Sequence, residues 1–287
     1  MWRKTLSTHR GAVEKSGQYF LKTYRNDVEL EFNKSQQIYD IAVRTGEFVA
    51  PKPISLNLDR SQIAFDFITE PLVSIREPFI AAIRSTATPS DACQSLFRKV
   101  GRSIGLIHKY LTLPTASEWS VIAPDGEDTS SYQGALIRDL RFAHNSFLHC
   151  DFGFSNLFFV DDEEAFTQKL VVLDPSPNYF VTFKADCYGP SILDLANIAA
   201  CMQGLFPVRR QLSCKWLNAG ILLGRVLEEY ENITGQKLDR DLLRRSSEFT
   251  LKRYLRTRLP TNFLRKLAFG LVANTSRTAE IESGLYE

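Results

Sequence analysis

The stretch HCDFGFSN, residues 149–156, is the most informative segment of this 287-residue chain. Apolar residues precede and follow it, so the pattern predicts a short polar loop between two buried segments. A loop that curls brings the side chains of Asp151 and Asn156 together. A carboxylate accepts a proton, and an amide oxygen binds a hard cation. By itself the spacing is common, because Asp and Asn also favour turns.

A second carboxylate lies downstream of this loop. Asp174 ends the apolar run at residues 171–173. We predict two strands, 156–160 and 170–173, joined by the polar residues 161–169. Carboxylates at the ends of strands are well placed to hold Mg²⁺ at the mouth of a site.

The chain changes character on either side of residues 68–76. Before that boundary, patterns typical of strands occur at residues 18–24, 54–58 and 62–68, with one predicted helix at 28–44. After it, helices predominate. The sequence Thr88-Pro89-Ser90-Asp91 predicts a helix start with Thr88 as the cap, and a second helix is predicted at 131–144. These patterns together indicate an α+β protein.

Composition excludes several classes of protein. Hydrophobic residues make up 44% and charged residues 24%, which is typical of a globular chain and not of a fibrous or disordered one. No apolar run approaches the ~18 residues that span a bilayer, and the charged N-terminus lacks the apolar core of a signal peptide, so we expect a cytoplasmic protein without a membrane partner. The five cysteines form no C-x-x-C pair, so a disulfide framework or structural zinc site is not expected.

Charge is distributed unevenly, although the whole chain carries only +2. From Cys201 onward there are 15 Lys and Arg against 9 Asp and Glu, a net charge of +6. The first 200 residues have 20 against 24, a net charge of −4. Six basic residues fall between Lys252 and Lys266. This stretch is equally consistent with an anion-binding surface and with a solvated helix face, and no accompanying motif supports a nucleic-acid partner.

The pattern H-x-D-x-x-x-x-N, followed by a strand hairpin and an Asp, resembles the catalytic core of the protein-kinase-like superfamily. The closer resemblance is to the aminoglycoside and choline phosphotransferase branch, in which the loop often reads H-G-D-x-G-x-S-N. This chain matches that loop except for Cys150 in place of the glycine. The resemblance implies a bilobal fold, with a small strand-rich N-lobe at residues 1–70 and a larger, mostly helical C-lobe at 71–287.

The resemblance also implies roles for the loop and for residues beyond it. Asp151 corresponds to the catalytic base, Asn156 and Asp174 to the Mg²⁺ ligands, and Lys22 to the strand lysine that binds ATP phosphates. Glu31 corresponds to the ion-pair partner of that lysine.

Glu29 is an alternative partner for the lysine. Asp66, Phe67 and Ile68 correspond to the hinge, whose backbone would bind adenine. His108 resembles the histidine that ends the first large C-lobe helix. Asp194 resembles the buried Asp that supports the catalytic loop.

Two departures from the family pattern bear on function. No G-x-G-x-x-G precedes Lys22, so the phosphate-covering loop would be the short segment 7–11. Asp174 is followed by Pro-Ser-Pro instead of Phe-Gly, and two prolines disfavour a flipping switch.

Only 20 residues separate Asp174 from Asp194, which is too few for an activation loop and a peptide platform. We therefore expect an ATP-dependent enzyme acting on a neutral or anionic, sugar-like small molecule. The alternative is a catalytically weak nucleotide-binding or regulatory protein. The sequence leaves the acceptor's identity, ATP or GTP as donor, and the oligomeric state open.

Overall fold

The computed structural model describes residues 6–8, 11–16, 19–24, 27–66, 68–120, 132–162, 167–175, 186–204, 214–258, 281–283 and 285. Within these residues, five antiparallel strands form an N-terminal sheet in the order β1-β2-β3-β5-β4. The strands are β1 (Leu6–Thr8), β2 (Gly11–Ser16), β3 (Tyr19–Tyr24), β4 (Pro53–Asn57) and β5 (Gln62–Asp66). The strands expected near residues 18–24, 54–58 and 62–68 are therefore confirmed.

Helix α1 (Val28–Thr45) connects β3 to β4. Its buried residues include Val28, Glu31, Ile38 and Ala42, which recur at the three- and four-residue spacing of one helix face. Gly46 ends the helix in the left-handed conformation, with φ 67°, and its N–H donates to the carbonyl of Ala42. The helix predicted at 28–44 is confirmed.

The remaining named elements contain most of the helices. They are β6 (Leu72–Ser74), α2 (Arg76–Arg84), α3 (Asp91–Tyr110), β7 (Ser117–Glu118), α4 (Tyr132–Leu140), β8 (Asn145–Phe147), β9 (Leu157–Asp162), β10 (Thr167–Val172), β11 (Cys187–Pro190), α5 (Ile192–Gly204), α6 (Trp216–Thr234) and α7 (Arg240–Arg258). None of the helices in the described part of the chain is long and apolar enough to cross a membrane.

Two small sheets position the loop at residues 149–156. One has the order β10-β9-β6 and the other β7-β11-β8. The loop leaves β8 and enters β9, so it joins the two sheets. The antiparallel hairpin of β9 and β10 pairs Leu157 with Val172, which returns the chain to the loop just before Asp174.

Helices α3 and α6 pack closely because glycines remove side chains from their contact. A Cβ atom built at Gly101 would lie 2.0 Å from the carbonyl oxygen of Val226. One at Gly105 would lie 3.0 Å from the side chain of Ile233. The backbones approach each other at the spacing that only glycine permits.

The N-terminal sheet region is tied to the rest of the chain next to β10. Val49, between α1 and β4, forms a parallel bridge with Val171. Its N–H donates to the carbonyl of Leu170 at 2.8 Å, and its own carbonyl accepts from the N–H of Val172 at 2.9 Å. These bonds fix α1 and β4 relative to the strand that precedes Asp174.

Three local predictions need adjustment. Ser90, not Thr88, caps α3, because its side chain accepts a hydrogen bond from the N–H of Cys93. Helix α4 ends at Leu140, short of the expected 144, where the chain turns into β8. Strands β9 and β10 extend into the segment expected to be a polar connection, because residues 161–162 pair with 167–168 across the hairpin.

Candidate active site

Asp194, in the first turn of α5, binds the backbone of the loop at residues 149–156. One carboxylate oxygen, Oδ2, accepts from the N–H of His149 at 2.6 Å, and the other, Oδ1, accepts from the N–H of Cys150 at 2.9 Å. Asp194 is fully buried. The expectation that this residue supports the loop is confirmed by these two bonds.

A buried chain of polar groups supports Asp194 in turn. Nε2 of His108, on α3, lies 3.0 Å from Oδ2 of Asp194, and Nδ1 of the same ring lies 3.1 Å from the hydroxyl of Tyr230 on α6. Burial alone would raise the pKa of Asp194, but the hydrogen bond from His108 and nearby positive charge hold it below its ordinary value. An ionised carboxylate only accepts hydrogen bonds, so Nε2 of His108 carries the hydrogen.

Cys150 adopts a backbone conformation that favours glycine. Its φ is 71°, in the left-handed region, which costs a non-glycine residue about 1–2 kcal/mol. Glycine, which the resembled loop pattern often has at this position, adopts this conformation without that cost. The thiol is fully buried, and burial raises the pKa of Cys150 well above its usual range. Since the thiolate is the reactive form, these surroundings suit the inert residue expected here rather than a nucleophile.

His149 is a neutral structural residue. It is fully buried, and this burial lowers its pKa to about 3. The backbone N–H of Asp151 lies 3.3 Å from Nδ1 of the ring. An N–H only donates, so Nδ1 is the unprotonated nitrogen. The histidine therefore helps to orient the residue two positions later, as a loop hydrogen-bonding residue would.

Asp151 and Asn156 converge as the loop curls. The side-chain Nδ2 of Asn156 donates to the backbone carbonyl of Asp151 at 2.9 Å. The N–H of Asn156 donates to the carbonyl of Gly153, which closes the turn. Asn156 is buried and Asp151 is partly exposed. Because the amide nitrogen of Asn156 is bound to the loop, its Oδ1 is the atom that it can offer to a cation.

Asp174 follows β10, the second strand of the hairpin, and lies close to Asn156 at the start of the first. The N–H of Leu173 donates to the backbone carbonyl of Asn156 at 2.9 Å, which joins the segments that contain Asn156 and Asp174. Nζ of Lys22, on β3, contacts Oδ1 of Asp174 directly. Asp174 also has a positive φ, 50°. Strained conformations of non-glycine residues cluster at functional sites, and this site has two.

Glu31 faces the same region as Lys22. Glu31 is buried, whereas Glu29 is exposed, so α1 directs the first of these acids inward and the second outward. Lys22 Nζ lies 4.5 Å from the ring centroid of Tyr24. Burial raises the pKa of Tyr24, and the nearby charge of Glu31 raises it further.

No protein-family model and no curated protein matches the chain. Among solved structures, it is similar to a Ralstonia eutropha protein assigned as an aminoglycoside phosphotransferase, with 14% identity and a TM-score of 0.54 over 99% of this chain and 91% of that one. The chain has an aminoglycoside phosphotransferase-like fold. This confirms the kinase-like α+β fold expected from the sequence.

Two other structures are similar at lower TM-scores. A choline/ethanolamine kinase family protein from Mesorhizobium loti gives 0.47, with 14% identity over 100% of this chain and 93% of that one. A macrolide 2'-phosphotransferase from Brachybacterium faecium gives 0.43, with 13% identity over 96% and 88%.

Not every predicted nucleotide-binding residue of this phosphotransferase-like fold can be located. Asp66 ends β5, is exposed, and donates its N–H to the carbonyl of Lys52 at 2.8 Å, so that amide is already bound within the protein. Ile68, two positions after Asp66, is partly buried. Phe67 lies outside the described residues, as do residues 9–10 of the predicted phosphate-covering loop, which connects β1 to β2.

The donor set fits a magnesium ion that is shared with phosphate groups. In the described part of the chain, no group of three or more His, Cys, Asp or Glu residues could hold a metal by itself. Asn156 and Asp174 would supply two hard oxygen ligands. Mg²⁺ in phosphotransferases is bound by one or two such groups together with substrate phosphates and water. The residues present are therefore suited to Mg²⁺ bound with a nucleotide.

Sequence patterns alone did not identify three residues near the site. Lys34 on α1 and Tyr230 on α6 are fully buried beneath the loop, and the ring of Tyr24 lies beside Nζ of Lys22. For Lys34 a signal existed, because it is four positions before the buried Ile38 and so belongs to the inward face of the helix. Tyr24 shares a strand face with Lys22, two positions away. Tyr230 gave no comparable signal.

Proposed function

We propose that this protein is an ATP-dependent phosphotransferase that moves the γ-phosphate to a hydroxyl group of a small molecule. The observation that carries the proposal is the contact of Lys22 with Asp174 beside Asn156 and the partly exposed Asp151. A cation, two cation ligands and a carboxylate base in one place are the groups that phosphoryl transfer needs. The solved structures that resemble this chain include kinases and phosphotransferases of small molecules.

Each side chain has a separate task in this proposal. Lys22 neutralises phosphate charge, and Glu31 keeps its ammonium oriented. Asn156 and Asp174 hold Mg²⁺, which would neutralise the charge that develops on the phosphates. Asp151 orients the acceptor hydroxyl and takes its proton as the new bond forms. Transfer at phosphorus is mainly a matter of position and charge, so an ordinary carboxylate basicity suffices.

We infer a bilobal arrangement for nucleotide binding. Residues 1–70 would form the small lobe and residues 71–287 the large lobe, with adenine bound by the backbone of residues 66–68. In this arrangement the strand lysine and the Mg²⁺ ligands face each other across the cleft between the lobes. The contact between Lys22 and Asp174 and the bridge from Val49 to Val171 support it.

The acceptor is proposed to be a small, neutral or anionic metabolite. The short distance in sequence between Asp174 and Asp194 disfavours a protein acceptor. The net positive charge after residue 200 disfavours a polycationic one. Several arginines of α7 already pair with acids, as Arg245 does with Asp139 at 2.7 Å, so the net charge supports this class of acceptor but indicates no binding surface.

The deciding experiment measures transfer of labelled γ-phosphate from ATP, with Mg²⁺, to acceptors in a metabolite extract. Wild type should label a product, and Asp151→Asn should lower the rate by about 10²–10⁴-fold, since general-base catalysis contributes about that much. Nucleotide affinity should change little, because Asp151 is assigned to the acceptor and not to ATP. Asn keeps the size of Asp but loses its charge and basicity.

Other outcomes would redirect the proposal. Equal labelling by wild type and Asp151→Asn would remove Asp151 from its role. No labelling by wild type across a broad extract would favour the alternative, a nucleotide-binding or regulatory protein without turnover.

A further inference from the structure

A lysine lies fully buried beneath the loop at residues 149–156. Lys34, on the inward face of α1, is one of the largest side chains with no exposed surface. Its Nζ donates to the backbone carbonyl of His149 at 3.3 Å. Its positive charge also lowers the pKa values of His149 and Asp194. Burying an ammonium group is costly unless it is compensated, so this contact calls for a physical explanation.

Lys34 and Asp194 hold the two ends of one peptide group. The peptide joining His149 to Cys150 has its carbonyl bound by Lys34 and its N–H bound by Oδ1 of Asp194 at 2.9 Å. These two residues are called the peptide clamp below. Because the carbonyl and N–H of a peptide point in opposite directions, the clamp fixes the rotation of this group from both sides.

The clamped peptide is one that would otherwise tend to rotate. The φ of Cys150 is 71°, a conformation that is unfavourable for any residue with a Cβ. Rotating the His149–Cys150 peptide by about half a turn brings φ to a negative, unstrained value, because the left-handed and right-handed regions lie on opposite sides of zero. The same rotation would carry the carbonyl away from Lys34 and the N–H away from Asp194. Asp151 follows immediately, so the backbone that leads into it would lose two of the bonds that hold it in place.

We propose that Lys34 is a positioning residue, which keeps the His149–Cys150 peptide in its strained orientation and thereby places Asp151 for phosphoryl transfer. This role rests on the proposed function. It also couples α1 to the loop, since Glu31, assigned to Lys22, lies on the same face one turn earlier. A displacement of α1 that moved Glu31 away from Lys22 would also withdraw Lys34 from the loop.

The test uses Lys34→Met, which keeps the length of the side chain but removes the ammonium group. We expect kcat to fall about 100-fold, the scale of a displacement of about 1 Å at a reacting group. The Kd for Mg·ATP, measured by calorimetry, should stay within about twofold, because Asn156, Asp174 and Lys22 are unchanged. A loss confined to kcat separates positioning from general damage to the fold.

A second substitution tests the mechanism. In the Cys150→Gly background, Lys34→Met should lower kcat by about tenfold or less, because glycine has no penalty at positive φ and the peptide needs less restraint. An equal loss of kcat in both backgrounds would overturn the proposal. Ile38→Met serves as the matched control, as it alters the same buried face of α1 without removing a charge, and its kcat should stay within about twofold of wild type.

A crystal structure of Lys34→Met gives a readout that does not depend on activity. Cys150 should have a negative φ in this variant and keep a positive φ in wild type. An unmoved peptide with positive φ would overturn the proposal. If wild type transfers no phosphate, the proposed function fails, and the φ of Cys150 still decides the role of the peptide clamp.

Folding of the variants is checked by thermal unfolding. Should Lys34→Met not fold, Lys34→Gln, which keeps a side-chain donor, takes its place in the same comparisons. If neither variant folds in either Cys150 background, Lys34 stabilises the whole core rather than one peptide, and the proposal is rejected.

Discussion

His149 and Asp194 hold the loop at residues 149–156 through opposite electrostatic states. Asp194 is ionised because His108 donates to it, although burial opposes the charge. His149 is neutral because burial is the larger influence, even with Asp194 nearby. The neutral imidazole accepts from the N–H of Asp151, whereas the carboxylate accepts from the N–H groups of His149 and Cys150. Each residue thus supplies acceptors to backbone donors of the loop.

The low pKa of His149 predicts a dependence of stability on pH. Below its ordinary pKa of 6.5 the unfolded chain binds a proton at His149, while the folded chain does not until about pH 3. Protons therefore favour the unfolded state in this range. The contribution of His149 is fully present above pH 6.5 and is lost as pH falls toward 3, at about 1.4 kcal/mol per pH unit.

Urea unfolding between pH 7 and pH 4 measures this slope. His149→Asn cannot titrate but keeps an acceptor for the N–H of Asp151, so its stability should depend less steeply on pH than that of wild type. Because Asn is smaller than the fully buried His149, the variant should also be less stable at pH 7. Identical slopes for the two proteins would assign the dependence to other groups. Asp194, whose pKa lies below its ordinary value, loses its contribution at lower pH than this window.

At the scale of elements, the crossing of α3 and α6 determines the geometry of the polar chain under the loop. His108 lies on α3 and Tyr230 on α6, so their 3.1 Å contact depends on the distance between the two helices. That distance is set by Gly101, where the helix backbones meet without an intervening side chain. The close packing at Gly101 therefore also affects the position of His108, which binds Asp194.

A pair of glycine substitutions tests this dependence. Gly101→Ala should lower the free energy of unfolding by about 3 kcal/mol, because its Cβ would overlap the carbonyl oxygen of Val226 and force the helices apart. Gly134→Ala is the matched control, since a Cβ there meets nothing within 4 Å, and helix propensity should raise the stability by about 0.5 kcal/mol. Chemical unfolding of both variants measures the difference. Equal stability of the two variants would show that α3 and α6 can separate without cost.

At the scale of the whole molecule, the contact of β3 with the segment after β10 joins distant parts of the chain. Lys22 and Asp174 are 152 residues apart in sequence, yet their side chains touch. A nucleotide bound with Mg²⁺ at this contact would interact with both the N-terminal sheet and the β9–β10 hairpin. Such binding stabilises the folded chain as a whole, because the unfolded chain has no such site.

Mg·ATP should therefore raise the thermal midpoint. At about 100 times Kd the expected gain is about 2.7 kcal/mol, or about 5 °C for a chain of this size. Asp174→Ala should abolish the shift, as should chelation of Mg²⁺. Asp59→Ala, which changes an exposed carboxylate in the turn between β4 and β5, should keep it. A full shift with Asp174→Ala would remove that residue from the metal site.

The local features of the fold could be predicted from sequence because their causes are local. The strand of Lys22 and the helix of Glu31 follow from residue type and periodicity, and Gly46 ends that helix by its own conformational freedom. The order of polar residues in the loop indicated the kinase-like fold. The Asp at position 194 was identified as its support, because the neighbouring pattern resembles that of the family.

Only the tertiary structure decided the features that depend on distant contacts. It turned Glu31 inward and Glu29 outward. It also brought Lys34 to the His149–Cys150 peptide, 115 residues away. Sequence patterns reveal which face of a helix is apolar, but the bonding partner of a buried polar group is set by how separate elements pack. The positive φ of Cys150 likewise depends on distant residues, because Asp194 and Lys34 bind the two ends of the peptide before it.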